Sequence, residues 1–349
     1  MSLPKLLGIT ALLLFGVIGF VAFFKTENTP KVHEEVPLAS GPLEVELDQE
    51  IHIVNSSPTP LPQTLSLIEP QASEPTQNGV PVAKKINSEP TDGAEPPEAN
   101  RIEELFNKGE PKLPIVETIT YKSRVTWQKG RPAWLSDYAT YYNTSRHFIA
   151  RSLNGKPDYF KQDVAEGDRF NVLAKDKKIN FHLLIDISRC KLWLYCHDLD
   201  TNERILLKTY QVGLGRSDSS KTSGLLTPLG KYTLGEKIAI YKPKMLGNYH
   251  GEKVEMIRVF GTRWIPFDKE VQGCTAPAKG FGIHGLPWML NEKGTLVQDR
   301  QSLGKYESDG CIRLATEDVE EIFAIIITKP TTIELVRNYY EAKLPGVDK

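Results

Sequence analysis

A long proline-rich stretch, residues 25–116, most constrains how this chain can fold. It holds more than half of the 24 prolines, interspersed with Glu, Ser, Thr and Gln, and Phe106 is its single aromatic residue. Such a composition offers too little apolar surface to offset the entropy that is lost on ordering. We therefore predict a disordered, semi-extended tether over residues 25–116, with a short helix as a local option in RIEELFNK.

An apolar run, LLGITALLLFGVIGFVAFF, precedes this stretch at residues 6–24. At about 1.5 Å per residue it is long enough to cross a hydrocarbon core. A cleaved signal peptide is the alternative, although the run is long for that and no small-residue cleavage site follows directly. The sequence predicts an uncleaved transmembrane signal anchor at residues 6–24, with residues 1–5 in the cytoplasm and the remainder outside. Lys25 on the far side weakens the charge asymmetry.

Charge and cysteine content exclude several classes of partner. Lys plus Arg number 43 against 44 Asp plus Glu, so no positive excess indicates a nucleic-acid partner. No Cys-x-x-Cys or His-x-x-x-His spacing occurs, and we expect neither a metal nor another cofactor. The predicted turn and strand separate Cys190 from Cys196 beyond bridging distance. The disulfide state of Cys190, Cys196 and Cys274 stays open.

A folded region is predicted to begin near Ile119. The segments ITYKSRVTWQKG and GDRFNVLA alternate apolar and polar residues as strands do. Between them, PAWLSDYATYYN and TSRHFIARSLN have helical spacing, and Thr144 or Ser145 can cap the second helix. This strand-helix-helix-strand order resembles LysM, a small module that binds the glycan of peptidoglycan, and implies such a module over residues 117–176. A βααβ spacer that packs on the next domain is the alternative.

The rest of the chain is rich in predicted strands. INFHLLIDI and LWLYCHD form a hairpin around SRCK, and RILLKTYQVGLG, GKYTLGEKI and MIRVFGTRWIPF add strands. One helix follows, with Thr316 as N-cap and Pro330 as its stop. A mainly β domain with one C-terminal helix is therefore predicted.

Two short segments of this domain contain a candidate nucleophile and base. GFGIHG contains His284, and SDGCIRL contains Cys311 after the turn-forming Gly310. A catalytic cysteine needs a base for its proton and backbone N–H groups directed at the developing oxyanion. The amides around Asp309 and Gly310 are candidates for the second role. From these residues alone, a buried structural cysteine is the alternative.

The arrangement resembles the L,D-transpeptidase catalytic domain, the YkuD family. Its signature is a His-Gly, a loop, and then Ser/Thr-His-Gly-Cys-hydrophobic-Arg/Asn. The matching residues are His284, Gly285, Ser308, Gly310, Cys311, Ile312 and Arg313. Residues 185–188, VGLG at 212–215 and TPLGKYTL at 227–234 are similar to upstream parts of the family. The resemblance implies a catalytic domain over residues 179–337, followed by a tail at 338–349.

Two features depart from the family pattern. Asp309 stands where the family has a second histidine, and the loop over residues 286–307 is longer than usual. A carboxylate beside the nucleophile disfavours the thiolate unless it points away or orients a protonated His284. A solvated turn residue is the alternative role for Asp309.

The resemblance also implies a reaction. Cys311 would attack the third residue of a peptidoglycan tetrapeptide stem, and an amine acceptor would resolve the thioester into a cross-link, with His284 as base. Gly285, Ser308 and Arg313 would contact substrate, although Arg313 can instead brace its own loop. Carbapenem β-lactams would acylate the thiol. The alternatives are an L,D-carboxypeptidase or amidase on the same fold, or a catalytically inactive wall-binding protein. The predicted location is the bacterial inner membrane, single pass, with the catalytic domain in the periplasm or cell-wall space.

Overall fold

A computed structural model describes residues 95–349. The predicted anchor at residues 6–24 and the tether up to residue 94 lie outside this range. Within residues 95–349, no helix combines the length and apolarity needed to cross a bilayer.

The last part of the predicted tether packs against the folded region. Helix α1 (Glu103–Phe106) forms inside RIEELFNK, and Leu105, Leu113 and Ile115 are buried. The backbone N–H of Arg101 donates to Leu207 O at 2.7 Å. The folded region therefore begins well before the predicted boundary at residue 116, because apolar side chains between the prolines are buried in its core.

A βααβ unit follows, with the predicted order of elements. Its elements are β1 (Val116–Thr120), α2 (Leu135–Tyr141), α3 (Arg146–Asn154) and β2 (Arg169–Leu173). The two strands pair antiparallel, from Val116 opposite Leu173 to Thr120 opposite Arg169. The predicted cap is confirmed for Ser145, whose hydroxyl accepts from His147 N at 3.1 Å.

This unit has a small aromatic core of its own and also shares the main core. Tyr138 packs edge-on against Phe170, with ring centroids 5.4 Å apart. On its other side, Phe148 is fully buried in the same apolar cluster as the central sheet of the next domain. The unit therefore packs directly on that domain.

The remaining residues form a mainly β domain. Its strands are β3 (Ile179–Asp186), β4 (Lys191–Asp198), β5 (Glu203–Gln211), β6 (Leu214–Gly215), β7 (Gly230–Leu234), β8 (Ala239–Ile240), β9 (Leu246–Tyr249), β10 (Glu252–Glu255), β11 (Arg263–Gln272), β12 (Gly282–Gly285), β13 (Trp288–Leu290), β14 (Leu296–Gln298), β15 (Tyr306–Ser308), β16 (Ile312–Leu314), β17 (Thr331–Val336) and β18 (Val347–Asp348). Its helices are α4 (Ile257–Phe260) and α5 (Thr316–Ile326), with 3-10 turns at Arg300–Ser302 and Tyr339–Glu341.

Ten of these strands form the central sheet. Nine run in the order β16-β12-β11-β7-β17-β3-β4-β5-β18, and β8 pairs with β11. The predicted hairpin is confirmed as β3 and β4, which pair from Ile179 opposite Asp198 to Asp186 opposite Lys191. The pairs β12–β16, β3–β17 and β5–β18 are parallel. The predicted mainly β domain is therefore confirmed.

Helix α5 covers one face of the sheet through Val319, Ile322 and Phe323, which are buried. The predicted N-cap at Thr316 is wrong, because Thr316 is the first helical residue and the N-cap is Ala315, whose side chain accepts no hydrogen bond. The Thr316 backbone N–H instead donates to Gln298 Oε1 at 2.8 Å.

The segment MIRVFGTRWIPF, predicted as one strand, divides into helix α4 and strand β11. Gly261, at a φ of +61°, separates them, and a Cβ there would lie 2.6 Å from the carbonyl carbon of Gly285. Only glycine fits this turn and close approach. An apolar run of this length is compatible with either element, and the tertiary contact decides.

The predicted tail at residues 338–349 covers the other face of the sheet. The hydroxyl groups of Tyr195 and Tyr339 lie 2.8 Å apart, and Tyr339 packs on Trp193 with ring centroids 4.9 Å apart. The tail therefore forms part of the fold.

Candidate active site

Three separate sequence motifs meet at one buried hydroxyl. Thr227, from TPLGKYTL, is fully buried, and its Oγ1 accepts from Gly215 N of VGLG at 2.7 Å. The same hydroxyl donates to the carbonyl oxygen of Gly310, in the turn before Cys311, at 3.0 Å. Thr227 was not among the predicted site residues, although its motif had been noted. It fixes the position of the turn that precedes the thiol.

A second hydroxyl closes that turn from inside. Ser308 is buried, and its Oγ donates to Cys311 O at 2.7 Å and accepts from Gly310 N at 3.1 Å. Gly310 has a φ of +118°, and a Cβ there would lie 2.6 Å from Phe281 Cε1. Because the Gly310 amide is already bonded to Ser308, the predicted oxyanion contact would fall to its neighbours.

His284 and Cys311 belong to neighbouring segments of the sheet. Strands β12 and β16 are parallel, with His284 opposite Arg313. Cys311 lies directly before β16 and packs against the cluster that contains Phe260 and Trp264, whose rings also lie beside that of His284. His284 is 4% exposed, whereas Cys311 is partly exposed, with its Sγ 3.7 Å from Gly280 O. Cys311 is therefore partly exposed as a residue, whereas His284 is enclosed.

Hydrogen bonding assigns the proton of the His284 ring. Its Nδ1 lies 2.7 Å from the carbonyl oxygen of Gly285. A carbonyl oxygen can only accept, so Nδ1 carries the hydrogen and Nε2 is left as the basic nitrogen. Gly285, predicted to contact substrate, is itself buried.

Burial keeps the imidazole neutral. The pKa of His284 is lowered to about 3, chiefly by desolvation and also by the positive charge of Arg313, while the hydrogen bond to Gly285 opposes the shift. Phe260 packs edge-on against the ring, with centroids 5.3 Å apart. Near neutral pH, His284 is therefore an uncharged base.

The thiol is uncharged as well. The pKa of Cys311 is raised to about 12, chiefly by desolvation and in smaller part by the carboxylate of Asp309. The backbone of Gly282 and the charge of Arg313 act in the opposite direction. The resting pair is thus a thiol and a neutral imidazole, in contrast to a preformed thiolate-imidazolium pair.

The two charged residues of the SDGCIRL segment have different surroundings. Asp309 is exposed and forms an ion pair with Arg216, which follows the VGLG motif. Arg313 forms no ion pair with any residue in 95–349, and its Nε is buried without a partner. Its backbone pairs with Gly213 through N–H···O bonds of 2.9 Å in both directions. Arg313 is therefore fixed through its backbone, and its Nε has no hydrogen-bond partner among residues 95–349.

The long loop over residues 286–307 builds one wall of the site. It contains the hairpin of β13 and β14, and Trp288 and Leu296 from it join the apolar cluster that includes Cys311. Met256, Phe260 and Trp264 form the buried part of that cluster. These wall residues were not predicted, because no local pattern distinguishes them from ordinary core residues.

All of the predicted site residues thus come from one corner of the sheet. Strands β12 and β16 and the turn between Ser308 and Cys311 contain all of them: His284, Gly285, Ser308, Asp309, Gly310, Cys311 and Arg313. Within residues 95–349, no group of three or more His, Cys, Asp or Glu side chains is arranged to hold a metal ion.

Comparison with known proteins identifies this domain. Residues 180–335 match the family model of YkuD, the L,D-transpeptidase catalytic domain. No curated protein matches the chain.

Two solved structures resemble it distantly. One is the helical cell shape determining protein Pgp2 from Campylobacter jejuni, at 17% identity and a TM-score of 0.31, covering 48% of this chain and 50% of that one. The other is Bdellovibrio bacteriovorus Bd1075, at 14% identity and a TM-score of 0.30, covering 45% and 48%. The chain spans about half the length of these structures. The assignment rests on the family model alone, which matches residues 180–335 as an L,D-transpeptidase catalytic domain.

Proposed function

We propose that this protein is a cysteine-dependent peptidoglycan L,D-transpeptidase, with Cys311 as nucleophile and His284 as base. The observation that carries the proposal is that Cys311, a partly exposed residue directly before β16, and the enclosed His284 of the paired strand β12 pack against the same Phe260 and Trp264 rings. The basic Nε2 of His284 is free to take a proton because Nδ1–H is bonded to Gly285.

In the first half-reaction, Nε2 takes the proton of the Cys311 thiol while the sulfur attacks the carbonyl carbon of the third stem residue. The C–S bond of a thioester forms, and the C–N bond to the terminal D-alanine breaks. His284 returns the proton to the leaving amine. Because burial disfavours charge on both groups, proton transfer and attack are expected to be closely coupled.

In the second half-reaction, an amine from another stem attacks the thioester carbon. A C–N bond forms, the C–S bond breaks, and the proton of the acceptor passes through His284 to the Cys311 sulfur. Water in place of the amine would give trimming instead of a cross-link. Arg313, which lacks an ion-pair partner within the described residues, is proposed to bind a carboxylate of the stem.

The other parts of the chain are proposed to bring this site to its substrate. The βααβ unit has the element order of LysM, and we propose that it binds the glycan of peptidoglycan. The apolar run at residues 6–24 would anchor the chain in the bacterial inner membrane, with the catalytic domain in the periplasm or cell-wall space. Extraction of membranes with high salt tests the anchor, since an integral segment stays with the lipid.

Products of a defined substrate test the reaction. Full-length protein is incubated with purified disaccharide tetrapeptide, and the products are read by mass, with Cys311→Ala as the control. A cross-linked dimer that has lost one D-alanine supports transpeptidation, and a disaccharide tripeptide alone indicates carboxypeptidation. If neither product forms and a carbapenem adds no mass to a free Cys311, the proposal fails in favour of a wall-binding protein.

A further inference from the structure

A buried ionic cluster joins the βααβ unit to the catalytic domain. Arg263, the first residue of β11, is 1% exposed. Its Nη2 donates to Oδ1 of Asp158, a residue in the segment between α3 and β2. Its Nη1 lies 3.5 Å from Oε1 of Glu320 on α5. His147 Nδ1 lies 3.1 Å from the same Asp158 oxygen. These four residues are the buried cluster. A charged side chain at this depth requires such partners.

The guanidinium is held on several sides. Its Cζ lies 5.2 Å from the ring centroid of Phe323, and Nη1 donates to the carbonyl oxygen of Thr262 at 2.8 Å. Arg263 therefore bonds both to the backbone at the start of its own strand and to the βααβ unit. Without Asp158, its remaining carboxylate partner would be the more distant Glu320.

The same strand supports the catalytic base from the opposite face. Consecutive strand residues point to opposite faces, so Trp264 lies on the side opposite to Arg263. Trp264 is the register partner of His284, and the two ring centroids are 6.0 Å apart. A shift in the start of β11 would therefore move Trp264 against the imidazole.

Thr262, whose carbonyl oxygen accepts from Arg263, also contacts Gly285, the residue that orients the His284 ring. A Cβ on Gly285 would lie 3.1 Å from Thr262 N, so the two backbones are in close contact. Gly285 O is the acceptor for His284 Nδ1. The buried cluster is therefore connected to His284 in two ways. Trp264 contacts the imidazole ring, and Thr262 contacts Gly285, whose carbonyl oxygen sets the tautomer.

We infer that Arg263, held by Asp158 of the βααβ unit, is a positioning residue for His284, so that this unit is part of the catalytic apparatus in addition to any role in wall binding. This inference rests on the proposed function of His284. The buried cluster ties the unit rigidly to β11. Loss of its central ion pair lets the start of β11 move and disturbs the hydrogen bond between His284 and Gly285.

The test compares Asp158→Asn with Asp163→Asn in full-length protein. Asp163 lies in the same segment and pairs with Lys156 at the surface, with about half of each side chain exposed, so it is a matched control. The first readout is the solvent exchange of the His284 Nδ1 hydrogen, followed by NMR on protein with 15N-labelled histidine. The second is the rate at which iodoacetamide alkylates Cys311 as a function of pH, with Cys274 distinguished by peptide mass.

In Asp158→Asn we expect faster exchange of the Nδ1 hydrogen, alkylation slowed about tenfold, and a similar fall in kcat at nearly constant KM. Asp163→Asn should behave as the wild type. Asp158→Glu, which keeps the carboxylate, should recover most of the loss. If Asp158→Asn does not fold, Glu320→Gln takes its place, because it weakens the contact of the same guanidinium without removing Asp158, and a smaller change in the same direction is expected.

A variant that is less stable but retains the wild-type exchange and alkylation profile while folded would show a merely structural role and overturn the inference. Neither of these two readouts requires turnover. If the wild type fails to process the tetrapeptide, the proposed function fails, and the effect of the cluster on His284 is still decided.

Discussion

The carboxylate of Asp309, two residues before the nucleophile candidate Cys311, is bonded to the guanidinium of Arg216. The two side chains are 52% and 59% exposed. Because the guanidinium of Arg216 offsets much of its charge, Asp309 disfavours the Cys311 thiolate less than an unpaired carboxylate would. The cation, Arg216, lies 93 positions earlier in the chain than Asp309.

Arg216→Ala should therefore slow alkylation of Cys311 at a fixed pH. The uncompensated Asp309 would oppose formation of the thiolate by up to about 1 kcal/mol, a few-fold in rate, as is typical of exposed charges. Asp309→Asn should have the opposite effect, and Asp309→His should accelerate labelling by a carbapenem. Rates measured at 1 M salt are the control, since screening at that ionic strength should remove most of the difference. Equal rates at low salt would contradict the prediction.

The pKa of His284 makes a specific prediction for stability against pH. The unfolded histidine binds a proton below about pH 6.5, whereas the folded one stays neutral down to about pH 3. Between these values the unfolded state binds more protons, so stability falls as the pH is lowered. Wild type should lose about 3 kcal/mol more than His284→Gln between pH 7 and pH 4. Urea unfolding of both proteins across this range measures it, and parallel curves would show that the folded imidazole titrates normally.

Thr227→Val should destabilise the protein by about 1–3 kcal/mol, because it leaves the buried Gly215 N–H without an acceptor. The turn at Gly310 should loosen as well, and Cys311 should alkylate at a different rate. Thr227→Ser, which keeps the hydroxyl, is the matched control and should lie much closer to the wild type. Urea unfolding and alkylation kinetics measure the two effects. A valine variant as stable as the serine variant would mean that the hydroxyl is not needed.

Cys311→Ala should abolish thioester formation and change the free energy of unfolding by no more than about 1 kcal/mol, because the side chain is small and partly exposed. Intact mass after incubation with a carbapenem, together with thermal unfolding, tests both parts. His284→Ala should still alkylate slowly without turning over substrate. A Cys311→Ala protein that unfolds would identify the thiol as a structural residue.

Local patterns in the sequence determined a large part of the fold. The apolar runs INFHLLIDI and LWLYCHD on either side of the turn SRCK were enough to predict β3 and β4, which are buried along almost their whole length. The hydroxyl of Ser145 correctly indicated the start of α3. The ordered motifs around His284 and Cys311 resemble the YkuD family, and the family model matches residues 180–335 in agreement with that resemblance.

Only the tertiary structure decided the surroundings of these residues. Arg216 for Asp309, Thr227 for Gly310 and Asp158 for Arg263 are partners from distant parts of the chain. A local pattern records how often apolar residues recur, but not which distant segment packs beside them. Packing against such distant segments removes water from the imidazole of His284, which is why its pKa lies so far below its ordinary value. The sequence by itself determined which residues are candidates for chemistry, and the fold decided their charge states and contacts.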